Sequence, residues 1–163
     1  MLRRSFVTEI ESRFATGLKA KNPLRLKPLN RPAGHNRYCG PAVISFCTGW
    51  TTDKSAWHIR NSSGQRAVRG SKMVDVLAAM KDDGIISEFV EGFKGSTLAG
   101  ALRRLRTEKR LTEGRTYLLV AGGHFQLITG RRYACGRVGE ITSIADKRIK
   151  KLALVASVFE LYR

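Results

Sequence analysis

A chain of 163 residues with 42% hydrophobic content is long enough for one domain with a real core and too short for two ordinary ones. Its 30 Lys and Arg against 13 Asp and Glu leave a formal net charge of +17, a surface that attracts polyanions. No run approaches the roughly 20 apolar residues that span a bilayer, and Met1-Leu2-Arg3-Arg4 lacks the apolar segment of a secretion signal, so neither a membrane protein nor a secreted one is expected.

Residues 5–19 carry Phe6, Ile10, Phe14 and Leu18 at spacings of four, which predicts a helix with a narrow apolar stripe. Residues 22–34 contain Pro23, Pro28 and Pro32 between basic side chains and read as an extended linker. The next helix begins at or beside Cys39, where Pro41 has a φ suited to a first turn, Gly40 lets the backbone turn tightly, and Gly49 supplies a stop. Thr52-Asp53 caps a short helix through Trp57 and Ile59, ended by residues 61–64. Ser71 caps another from Lys72 to Lys81, with Met73, Val76, Leu77 and Met80 apolar.

After the Asp82-Asp83-Gly84 turn, residues 85–90 predict a strand, and Ser96 or Thr97 opens a helix with Leu98, Leu102 and Leu105 inward. Tyr117 to Ala121 reads as a buried strand broken by Gly122-Gly123. His124 to Ile128 alternates as the next, with His124, Gln126 and Ile128 on one face and Phe125 and Leu127 on the other. Tyr133-Ala134-Cys135 lies in a strand, and residues 152–162 form the last. Helices come first and strands later, an α+β order.

The three thiols form neither an even disulfide framework nor a C-x-x-C pair, and a helix from Cys39 to Cys47 keeps those two about 12 Å apart. A reducing location, cytoplasmic or virion-associated, is the consistent expectation. Cys47 falls within an apolar helix and Cys135 within a strand, both structural places. Trp50 and Trp57 read as core aromatics flanking a turn. His35 and His58 have no recognised zinc spacing with Cys39 or Cys135, so no metal is expected, and no cofactor motif occurs.

Cys39 stands apart from the other thiols. A helix N-terminus carries about half a positive charge and unpaired N–H groups, which favour a thiolate and can also receive an oxyanion. His124 opens a strand directly after a Gly-Gly turn, a place suited to a cleft wall.

The Cys39-Gly40-Pro41-Ala42 helix start, followed much later by Gly123-His124-Phe125 opening a strand, resembles the papain-like cysteine peptidases, especially the small C39-like peptidases and related phage and bacterial proteins. The resemblance covers roughly residues 34–135. It implies an N-terminal helical half carrying the cysteine, packed on an antiparallel sheet carrying the histidine. It also implies that Cys39 is the nucleophile and His124 its general base and later acid. Two positions depart from the family pattern. Where a Gln about six residues before the cysteine usually supplies an oxyanion donor, this chain has Ala33, and the nearest amide is Asn36. Where an Asp or Asn commonly orients the histidine, the chain reads Tyr133-Ala134-Cys135-Gly136-Arg137.

The expectation is therefore a basic N-terminal helix and Pro-containing linker over residues 1–33 and a papain-like domain over residues 34–163. Its activity would be hydrolysis of a peptide or isopeptide amide bond by Cys39, His124 and Asn36, with a protein or peptide as substrate. Two alternatives are a Cys–His acyltransferase and a basic virion or nucleic-acid-associated protein on an inactive fold. The basic clusters at Arg103 to Arg110 and Lys147 to Lys151 point to non-specific nucleic acid or an acidic protein as a further partner, although no base-reading motif accompanies them.

Overall fold

The computed structural model describes residues 21–33, 38–68 and 70–163. The expected helix with Phe6, Ile10, Phe14 and Leu18 lies outside them, as does Asn36. Within the described residues the chain forms four helices and six strands, an α+β arrangement. They run α1 Cys39–Thr48, α2 Thr52–Ser63, α3 Met73–Lys81, β1 Ile86–Phe89, α4 Leu98–Thr107, β2 Thr116–Ala121, β3 His124–Thr129, β4 Arg132–Cys135, β5 Ile141–Ser143 and β6 Val155–Tyr162.

The strands make one antiparallel sheet in the order β1-β6-β2-β3-β4-β5, the final strand returning to lie between β1 and β2. Gly122 and Gly123 both have φ in the left-handed region, at 56° and 74°, as a two-residue hairpin of the type favoured by sheet twist requires. That turn pairs Ala121 with His124 and fixes the register of β3.

The alternation along β3 sorts its side chains as expected. Phe125 and Leu127 join Leu118 and Ala134 under α1, where Val43, Phe46 and Cys47 complete one core cluster. Ile128 joins Tyr117, Leu119 and Tyr133 on the other face, under Leu98, Leu102 and Leu105 of α4. The sheet is thus a middle layer. Each fully buried Leu, Ile or Phe contributes on the order of 1.5–3 kcal/mol, so both faces hold it in place.

Helix α1 is buried from Gly40 to Thr48, which its apolar sequence demands on every side, and Gly49 closes it with φ 80° and an N–H donated to Ser45 O at 2.8 Å. Residues 21–33 run along the same body. Leu24 and Leu26 are in the core cluster beneath α1, and the Lys27 N–H donates to Phe46 O at 2.7 Å.

Several local expectations are corrected. Thr51 rather than Thr52 caps α2, its hydroxyl accepting from Lys54 N at 3.1 Å. Trp57 is 51% exposed and not core, because α2 buries only the face of Thr52, Ser55, Ala56 and Ile59. Ser71 caps nothing: α3 starts after Lys72 without a side-chain cap. Helix α4 covers the sheet face opposite α1 to α3, and β5 is an additional strand in a stretch too short and polar to show a period.

Candidate functional site

Two side chains far apart in sequence line one cleft. Helix α1 delivers Cys39 at its first residue, and the Gly122-Gly123 hairpin delivers His124 at the first residue of β3. Both line a small pocket of about 70 Å³, whose wall includes Gln126, Tyr133, Cys135 and Arg137. Both also line a broader adjoining groove of about 790 Å³ that includes Tyr38, Ser71 and Arg31.

The seat of Cys39 is built by two glycines. Gly136, just after β4, lies against α1 so closely that a Cβ there would come 2.8 Å from the Ala42 Cβ and 3.2 Å from the Cys39 Cα. Gly40 faces Ser71, and a Cβ at Gly40 would lie 2.4 Å from the Ser71 Oγ. Gly40 is therefore small because Ser71 occupies the space, and its φ is not in the left-handed region. The buried Ser71 hydroxyl has no hydrogen-bond partner among the described residues.

Tyr38 precedes α1 without a side-chain cap, and Pro41 has no N–H, so the first-turn N–H groups of Cys39 and Gly40 face outward from the helix end. Cys39 is half-buried, whereas Cys47 and Cys135 are buried, and burial pushes the Cys47 thiol far up.

His124 makes no hydrogen bond to Cys39 among the described residues. Its Nε2 instead accepts from Arg137 Nη2 at 2.5 Å. Since a guanidinium only donates, this contact places the imidazole proton on Nδ1. Burial lowers the His124 pKa below its ordinary value, and the charges of Arg137 and Lys150 lower it further. The lowered pKa favours the neutral imidazole.

Arg137 is the residue that sequence reasoning passed over. It follows β4, and continuing the Gln126–Cys135 register by two residues sets it across from His124. That register was the signal available. Glu140 and Asp146 do not reach His124; both hold Arg148 Nη2, at 2.7 and 2.6 Å.

Beneath His124 the side chains of Tyr133 and Gln126 satisfy each other. The Tyr133 hydroxyl donates to Gln126 Oε1 at 2.9 Å, and Gln126 Nε2 donates to Ala121 O at 2.9 Å. Gln126 shares the face of His124, but its amide is engaged at both ends. Cys135 Sγ accepts from the Val138 N–H at 3.4 Å, a structural role.

Among the described residues no group of three or more His, Cys, Asp and Glu could hold a metal, and no helix is long and apolar enough to cross a membrane. His58 lies away from the cleft, with Nδ1 2.8 Å from Asp82 Oδ2 and its ring stacked on Trp50. No protein-family model matches this chain, and no curated protein or solved structure does either.

Proposed function

We propose that this chain is a papain-like thiol hydrolase that cleaves a peptide or isopeptide bond, with Cys39 as nucleophile and His124 as general base and acid. The observation that carries the reading is that a half-buried helix-start thiol and an imidazole line the walls of one cleft. His124 takes the proton of the Cys39 thiol, and the sulfur attacks the carbonyl carbon, forming an S–C bond and an oxyanion that the Cys39 and Gly40 N–H groups receive. Collapse breaks the C–N bond while His124 gives its proton to the departing amine. Water then attacks the thioester, His124 taking a proton from it and returning it to the Cys39 sulfur as the S–C bond breaks, which releases the acid and restores the thiol.

One observation favours a second reading. No carboxylate lines either part of the cleft among the described residues, and Arg137 occupies the ring nitrogen that an orienting acceptor would otherwise serve. A basic binding or virion protein that keeps the fold without turnover accounts for both facts.

A peptidyl thioester tests the proposal. The hydrolase reading predicts an acyl adduct mapped to Cys39 that decays to free acid, with none on the Cys39→Ala protein. A product that is mainly amide when an amine is added would instead mean acyl transfer. Absence of the adduct would leave the binding reading.

A further inference from the structure

We propose that the cleft takes an acidic peptide, whose carboxylate binds Arg137 and draws it off His124. The inference rests on the proposed Cys39–His124 site and names the chemistry of its substrate.

The described lining of the cleft holds Arg31, Arg137, Arg148 and Lys150 and no Asp or Glu. These cations are not equivalent. Arg148 is saturated, since its guanidinium reaches Asp146 through Nε and Nη2 and Glu140 through Nη2. Arg31 Nη2 donates to Gly136 O at 3.2 Å and ties the linker to the end of β4. Arg137 is different, because its side-chain partner is the acceptor Nε2 of His124 and no carboxylate pairs with it among the described residues. Lys150 is exposed on the same wall, and no ion pair involves it among the described residues. Two positive charges thus line the same pocket as the thiol and the imidazole, with no counter-ion among the described residues.

An Arg bound to a neutral imidazole nitrogen gains far more from a carboxylate, which offers two oxygens to its planar fork and a full opposite charge. The exchange has a chemical consequence. While Arg137 holds Nε2, the imidazole proton is on Nδ1 and neither nitrogen is open to take another. Once a carboxylate holds Arg137, Nε2 is open and both tautomers are available. The substrate's own acidic group therefore completes the base. That also explains why a cation occupies the place of an orienting carboxylate: it selects the substrate.

The test compares alkylation of Cys39 by iodoacetate and by iodoacetamide, two reagents that differ in charge and form an S–C bond with loss of iodide. The expected rate ratio at Cys39, iodoacetate over iodoacetamide, exceeds that of glutathione in the same buffer by about tenfold and shrinks as salt rises. Arg137→Gln should return it close to the glutathione value, and Arg137→Lys should retain most of it. An unraised ratio, or one unchanged in Arg137→Gln, overturns the proposal while leaving the nucleophile in place. If Cys39 resists both reagents, the catalytic reading falls instead, and fluorescence anisotropy on the Cys39→Ala protein decides the ligand. A fluorescein-labelled Glu-containing peptide should then bind at least tenfold more tightly than its Gln counterpart, in an Arg137-dependent manner. Equal binding of the two peptides, or Arg137-dependent binding of a single-stranded oligonucleotide in preference to both, overturns it.

Discussion

Gly136 seats Cys39: a side chain at position 136 would collide with the first turn of α1, its Cβ 3.2 Å from the Cys39 Cα. The conflict is steric, because the backbone of residue 136 is not in the left-handed region. Gly136→Ala should therefore push the start of α1 away from β4. We predict a stability loss of about 1–3 kcal/mol, the usual range for overpacking, and slower alkylation of Cys39. Urea unfolding and iodoacetamide kinetics on the same protein check both. Wild-type values for both would mean that the helix start yields without cost.

The three thiols should react in a set order. Cys39 is half-buried on a cleft, Cys135 is buried and bonded to the Val138 N–H, and burial holds the Cys47 thiol protonated. Limiting iodoacetamide on the folded protein, followed by peptide mapping, should mark Cys39 first. Labelling of Cys135 ahead of Cys39 would move the site.

The pH profile carries the signature of Arg137. Burial, then Arg137 and Lys150, lower the His124 pKa, so the neutral base persists below the ordinary histidine value of about 6.5. The acid limb of kcat/KM for an acyl substrate should thus fall below pH ~6.5. Arg137→Gln removes one lowering charge and should shift that limb upward. A limb that stays put in Arg137→Gln would show that the titrating group is not His124.

Stability at the far side of the sheet depends on an ion pair. Glu160 on β6 is 5% exposed and accepts from Arg115 Nε and Nη2 at 2.7 and 2.8 Å, a bidentate pair. Arg115 is a third exposed, so its removal should cost about 2 kcal/mol, less than the 3–5 of a fully buried pair. The hydrogen bonds from Arg115 hold the Glu160 carboxyl below its ordinary range. A depressed folded pKa stabilises above the unfolded value of about 4.3, and that stabilisation is lost as pH falls through the folded value. The stability gap between wild type and Glu160→Gln, measured by urea unfolding, should be full at pH 7 and narrow at pH 3. A gap independent of pH would show that the pair adds nothing through its charge.

The parts of the fold that were legible in the sequence are those with local punctuation. Pro41 and Gly49 bracket α1, Gly122-Gly123 turns β2 into β3, and the Thr97 hydroxyl caps α4, accepting from Gly100 N at 3.1 Å. What escaped depends on contacts between distant segments. The hydrophobic period of α4 shows that one side is buried but not which face of the sheet it covers. Ser71 has the chemistry of a cap yet packs beside Gly40, a matter of tertiary space. The same holds at the site. Cys39 and His124 are marked by their places at element starts, whereas the partnership of Arg137 with His124 appears only once β3 and β4 are in register.

The central claim is that Cys39 and His124 act as a unit, and a double-mutant comparison of acyl turnover tests it most directly. With an activated acyl ester as substrate, Cys39→Ala and His124→Ala should each lower turnover by about 10²–10⁴-fold, and the double variant should add little beyond either. Circular dichroism should show all three variants folded. Turnover by His124→Ala at the wild-type rate, or losses that multiply in the double variant, would contradict the account.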